Sequence, residues 1–179
     1  YGAWDGEGSR LYAPSLATEE ELALWHTPEY VEAVRRLSAG DRGVSAWTYH
    51  FAPGDNPVFP GMYESEALKA GSTLLAARLV LEREVDVAFS FSGGMHHAMA
   101  AYASGFCVFN DCGVAIETLR AVHGLHRVAY VDIDAHHGDG VFYAFEDDPE
   151  LVFADLHEDG RYLYPGTGSA EETGSGALK

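Results

Sequence analysis

Val128-Ala129-Tyr130-Val131-Asp132-Ile133-Asp134-Ala135-His136-His137-Gly138-Asp139-Gly140 is the stretch on which the rest of the chain turns. Residues 128–132 read as a strand, rich in β-branched and aromatic side chains. Ionisable residues follow at once. In an extended segment, residues two apart point the same way. Asp132, Asp134 and His136 therefore share a face, while Ile133 and Ala135 turn to the apolar side. A carboxylate and an imidazole so spaced can chelate one borderline metal such as zinc. Asp134 and His136, just past the strand end, are the better placed pair. Asp132 sits deeper and suits holding a neighbouring imidazole. The bland alternative is that Asp-Ile-Asp caps the next helix and the histidines satisfy backbone groups. Gly138 and Gly140 flank Asp139 and allow a sharp turn into that helix.

Two more segments behave the same way. Residues 85–91 (Val-Asp-Val-Ala-Phe-Ser-Phe) read as a buried strand and run into Ser92-Gly93-Gly94-Met95-His96-His97. Residues 151–155 read as a third strand and run into Leu156-His157-Glu158-Asp159. Helical patterns separate the strands, at 64–82 (Leu68, Leu75, Leu79), 111–122 (Val114, Ile116, Leu119, Val122) and 140–146. Strands alternating with helices imply parallel pairing with helices on both faces. Ligands in such sheets bind outside the carboxyl ends of the strands. Seven of the nine histidines lie between 96 and 157, on that edge. The adjacent imidazoles of His96 and His97 suit proton transfer near neutral pH, with Asp132 and Asp139 available to orient them. A catalytic zinc needs three protein ligands and an open position. Asp155 and His157 are stand-ins for the third; otherwise it is expected beyond Lys179.

Upstream, Thr18 with Glu21 makes a capping box, and Thr27-Pro28-Glu29 combines an N-cap, Pro at the first helical position and an acid at the positive helix end. Tyr30, Val31, Val34 and Leu37 give that helix an apolar stripe, and Gly40 ends it. Residues 1–17 and 43–62 read as loops, the latter rich in aromatics and proline. Tyr164-Pro165-Gly166-Thr167-Gly168 reads as a turn, and the Gly/Ser/Thr-bearing 171–179 as a tail.

Hydrophobic residues make up 47% of the 179, enough for one globular domain with a sizeable core. No apolar run approaches the roughly 20 residues of a membrane span. The N-terminus lacks both a secretory pattern and an initiator Met, so the chain is expected to begin inside a longer protein. Cys107 and Cys112 form no CxxC pair, which fits a reducing, cytoplasmic compartment and two small buried residues. A net charge of −17 disfavours direct contact with nucleic acid and favours cationic partners. Two Lys against nine Arg fits salt adaptation or a GC-rich genome equally well.

Three blocks in combination resemble the histone deacetylase family, and its bacterial and archaeal branch with the acetoin-utilisation proteins in particular. They are Ser92-Gly93-Gly94-Met95-His96-His97-Ala98 with Ser104-Gly105-Phe106-Cys107-Val108-Phe109-Asn110-Asp111, then Asp132 to Gly140, then His157 to Gly168. The resemblance implies a three-layer αβα fold with a mostly parallel sheet, arginase/deacetylase-like and incomplete, with 1–179 forming one partial catalytic domain that continues beyond both ends. It implies a zinc-dependent hydrolase removing acetyl or acyl groups from protein lysines or acetylated polyamines. Asp134 and His136 would bind zinc; His96 and His97 would be the dyad beside the metal-bound water, oriented by Asp132 and Asp139. Gly105, Phe106 and Tyr164 would line a narrow tunnel for an acyl-lysine stem, Tyr164 standing where the family often has Phe. Asp55 matches a rim aspartate that holds the substrate backbone. A structural monovalent cation, K+, would take the carbonyls of Asp132, Asp134, His136 and Leu156 and the side chain of Asp155, which replaces a frequent Ser. The family's third zinc ligand and transition-state Tyr are expected downstream of 179, so the fragment is expected to have doubtful activity by itself. An arginase-type ureohydrolase and a non-catalytic acyl-lysine binder of the same fold are the competing readings.

Overall fold

The computed structural model describes residues 8–175. The extreme termini, including part of the expected 1–17 loop and of the 171–179 tail, lie outside them. Among the described residues five α-helices and two strands follow in the order α1 (Glu19–Leu22), α2 (Pro28–Ser38), a 3-10 turn (Ala46–Tyr49), α3 (Met62–Leu81), α4 (Asp111–Ala121), β1 (Val128–Asp132), α5 (Asp139–Phe145) and β2 (Leu151–Asp155).

The local signals act as their chemistry dictates. Thr18 accepts from the Glu21 N–H and Glu21 returns a bond to the Thr18 N–H, closing the capping box. Thr27 caps α2 ahead of Pro28. Gly40 adopts φ +80° past the end of α2, and the N–H groups of Gly40 and Asp41 return to the carbonyls of Leu37 and Arg36, the left-handed stop that glycine permits at least cost.

β1 and β2 pair in parallel, Val128 opposite Leu151 and Asp132 opposite Asp155, with α5 in the crossover. One apolar cluster joins Tyr30, Val34, Phe51, Met62, Phe109 and Val114 among the helices. A second joins Ile116, Val141, Phe142, Phe145, Leu151 and Phe153, between α4, α5 and the sheet. The opposite sheet face, with Ala129, Val131 and Ala154, is exposed, so among the described residues helices cover one face of the two strands.

The expected buried strand at 85–91 is a correction. It forms no strand, and Val87, Phe89 and Phe91 are 83, 73 and 65% exposed. Apolar alternation makes a strand only when a neighbour takes its backbone bonds, and no described strand lies beside it. Among the described residues no helix is long and apolar enough to cross a membrane.

Candidate active site

The loops after β1 and β2 meet those around Asp55, Gly94–His97 and Gly105–Cys107 at the site. The Gly93–Ala98 turn is held from behind by the start of α4. Asp111, 1% exposed, accepts from the N–H groups of Gly94 and Met95 at 3.1 and 2.7 Å and from the Thr73 hydroxyl at 2.5 Å. Asn110 caps α4 through the Gly113 N–H and donates its side-chain amide to the carbonyls of Ala98 and His96. His26, buried beneath, accepts the Asn110 N–H at Nε2. Asn110-Asp111 carries its own signal in the sequence, a cap residue followed by a carboxylate ahead of an apolar helix. His26 left no such trace.

His96 and His97, each 5% exposed, have ring centroids 4.1 Å apart. Each uses Nδ1 on its own carboxylate: His96 on Asp132 Oδ2 at 2.7 Å, His97 on Asp139 Oδ1 at 2.6 Å. Asp132 Oδ2 also accepts the Tyr130 hydroxyl at 2.6 Å, and Oδ1 accepts the Asp134 N–H at 3.0 Å. Burial pushes the Asp132 carboxyl up, but these donors prevail and hold it at about 2. Burial likewise disfavours charge on His96, yet the Asp132 bond and charge win and its pKa is raised. Glycine is required close by: a Cβ on Gly138 would stand 2.6 Å from Asp132 Oδ2.

Asp134 and His136 stand beside the dyad, His136 ring to His97 ring 5.7 Å. Asp134 Oδ1 accepts from the His136 N–H and lies 2.8 Å from its Nδ1. The pair is half-open to solvent, its side chains 52 and 39% exposed. One pocket of about 370 Å³ is lined by Asp55, Gly94, Met95, His96, His97, Gly105, Phe106, Cys107, Asp134, His136 and Tyr164. Every residue expected at the dyad, the metal and the substrate wall thus meets here, with Asp132 and Asp139 directly behind. Gly94, Met95 and Cys107 complete the lining. Burial pushes the Cys107 thiol up to about 11, which keeps it protonated and poorly nucleophilic. It is buried as expected; Cys112 is only half-buried.

The donor chemistry of Asp134 and His136 suits zinc, but the count is one short: among the described residues no group of three or more His, Cys, Asp or Glu could hold a metal ion. The stand-ins are engaged elsewhere. Asp155 accepts the Gly138 N–H at 2.8 Å and lies 2.8 Å from His157 Nδ1, and His157 Nε2 lies 2.8 Å from the Gly168 carbonyl. Asp155, Leu156 and His157 line a separate cavity of about 950 Å³ with His137. The Asp132 carbonyl, expected at the monovalent cation, accepts the Leu156 N–H.

The histone deacetylase domain family matches residues 5–179. The acetoin utilization protein AcuC of Bacillus subtilis (strain 168) is 45% identical over 170 residues, covering 93% of this chain and 43% of that protein. Histone deacetylase 8 of Danio rerio is 38% identical over 93% of this chain and 44% of its own length. The crystal structure of an HDAC homologue from Aquifex aeolicus superposes with a TM-score of 0.84 at 37% identity, over 91% of this chain and 44% of that one. The chain spans less than half the length of these relatives. On the match of nearly its whole length, it belongs to the histone deacetylase family.

Proposed function

We propose that this chain carries the proton-transferring dyad and two of the zinc ligands of a deacylase that hydrolyses acyl-lysine-type amides in proteins or acetylated polyamines. The observation that carries it is the meeting, in one pocket, of two carboxylate-anchored imidazoles with the Asp134–His136 pair. Asp134 and His136 would hold zinc with a third ligand from outside these residues. When bound, zinc polarises the acyl carbonyl and lowers the pKa of its bound water towards about 7. Asp132 and Asp139 engage the Nδ1 atoms of His96 and His97. That leaves each Nε2 to take a proton from water or return one to the departing amine, help worth roughly 10²–10⁴-fold. Gly105, Phe106 and Tyr164 would flank the acyl-lysine stem, and Asp55 at the rim would hold the substrate backbone. The carbonyls of Asp132, Asp134, His136 and Leu156 with the Asp155 side chain would hold a structural K+. The net charge of −17 favours cationic substrates in a cytoplasmic setting.

Acetate release from acetyl-lysine peptides and acetylpolyamines by the zinc-loaded full-length protein tests the reading. Turnover is expected, with zinc content lost in Asp134→Ala and His136→Ala. Stoichiometric zinc retained in both variants would defeat the ligand assignment. Peptide binding without any acetate release would make the protein an acyl-lysine binder instead.

A further inference from the structure

Thr73 lies within α3, 38 residues away from Asp111 in sequence, and the chemistry above gives it no task. Its hydroxyl nevertheless reaches the carboxylate that grips the turn carrying the dyad. Asp111 Oδ1 accepts the Met95 N–H at 2.7 Å; Oδ2 accepts the Gly94 N–H at 3.1 Å and the Thr73 hydroxyl at 2.5 Å. A hydroxyl has one proton and a carboxylate only accepts, so the Thr73 proton is directed at Asp111. The Ser90 hydroxyl, 3.5 Å from Thr73 Oγ1, donates to Ser72 instead. The turn runs close against this pair: a Cβ on Gly93 would stand 2.6 Å from Asp111 Oδ2 and 2.7 Å from Thr73 Oγ1.

The turn needs holding, because glycine gives it little stiffness of its own. Gly94 sits at φ +89°, and its carbonyl takes the His96 N–H at 2.9 Å. The His96 ring is anchored separately, at Nδ1, on Asp132 of β1. Backbone and ring of one histidine are thus fixed from different elements. Asp132 sets the direction of the ring, and Asp111 sets the point from which the ring starts. A shift of the turn moves Nε2 even while the ring keeps its bond to Asp132. Misplacing a reacting group by about 1 Å can cost about 10²-fold in rate. The carboxylate of an aspartate turns easily about its last bond, and the two N–H groups of a glycine turn can follow it. The hydroxyl from α3 is the one donor that does not move with the turn.

We propose that Thr73 is a positioning residue for the dyad: through Asp111, its hydroxyl locks the glycine turn that sets the reach of His96 and His97. Thr73 and Asp111 both lie outside the pocket lining, so they act from behind it and bind no substrate. The kinetic consequence rests on the deacylase reading; the effect on the two rings rests on the geometry alone.

The test uses zinc-loaded full-length protein. Thr73→Val keeps the shape and removes the hydroxyl, and Thr73→Ser keeps the hydroxyl. Val114→Ala, at a fully buried core position whose side chain takes no part in the clamp, controls for lost stability. Three readouts are taken: kcat and KM on an acetyl-lysine peptide, the denaturation midpoint, and proton–nitrogen NMR correlations of the histidine rings. Thr73→Val is expected to lower kcat about 10-fold, the span of a hydrogen bond to a charged group, with KM little changed. The ring signals of His96 and His97 are expected to shift with it, and Thr73→Ser to restore both. Val114→Ala is expected to lower the midpoint at least as far while keeping the kcat and ring signals of the parent. A Thr73→Val protein with the kcat and ring signals of the parent overturns the proposal. So does Thr73→Ser impaired as far as Thr73→Val, or Val114→Ala with the same losses, which would leave Thr73 a role in stability only. Thr73→Ala deletes the hydroxyl with less bulk and carries the test if Thr73→Val does not fold. A parent that hydrolyses no peptide sinks the deacylase reading, and the ring signals then decide the clamp by themselves.

Discussion

Asp132 concentrates three donors on one buried carboxylate: His96 Nδ1, the Tyr130 hydroxyl and the Asp134 N–H. Its charge raises the basicity of His96 and its geometry directs the ring. Asp132→Asn keeps the shape and removes the charge, and an amide nitrogen facing Nδ1 favours the wrong tautomer. The expected result is a fall in kcat of about 10²–10³-fold with KM little changed, measured on zinc-loaded full-length protein. A rise in KM of the same size with kcat unchanged would instead place Asp132 in substrate binding. Side-chain alternation is a local property and predicts a shared face for Asp132, Asp134 and His136; in the structure β1 ends at Asp132, which holds His96, while Asp134 and His136 lie in the bends beyond it and line the pocket. The Tyr130 bond obeys the same alternation at the spacing of two and was legible in principle.

At the scale of elements, the start of α4 does two jobs. Asn110 caps the helix and ties the carbonyls of Ala98 and His96. Asn110→Ala loses the cap and leaves buried carbonyls unpaired, a loss of about 2–3 kcal/mol, seen as a lower denaturation midpoint with a fall in kcat. His26 joins the end of α1 to the same region, with Nδ1 3.3 Å from the Ala100 carbonyl and Nε2 accepting the Asn110 N–H. An acceptor at Nε2 requires the neutral ring. Burial lowers its pKa from 6.5 to about 3. The unfolded chain therefore binds a proton that the folded one refuses. The stability His26 contributes is whole above pH 6.5 and is lost as pH falls towards 3, by about 1.4 kcal/mol per unit. His26→Gln offers both bonds without titrating, so melting curves at pH 7 and pH 5 should converge in the variant relative to the parent. An equal acid-induced drop in both would refute the assignment.

Across the molecule, a net charge of −17 surrounds a pocket with Asp55 at its edge. Cationic acyl-peptides should bind more weakly as ionic strength rises from ~0.05 to ~0.5 M, while neutral ones change little, because screening shortens the reach of surface charge. Equal salt dependence for both would detach the acidic surface from recognition. The same scale explains why the apolar alternation at 85–91 makes no strand. Its alternation of Val87, Phe89 and Phe91 resembles that of β2, yet β2 has a partner in register and α5 beneath it.

The sequence by itself determined the caps of α1 and α2 and the pairing of β1 with β2 through a helix, and it marked His96, His97, Asp132 and Asp139 as candidates. These depend on periodicity, turn chemistry and motifs that act over a few residues. Only the tertiary structure decided that Asp55, Phe106 and Tyr164 meet the dyad in one pocket, that Asp111 and Asn110 clamp it from behind, and that Asp155 and His157 are engaged elsewhere. Those are contacts between residues tens of positions apart, and which loop lands on which strand end is settled by packing rather than by local preference.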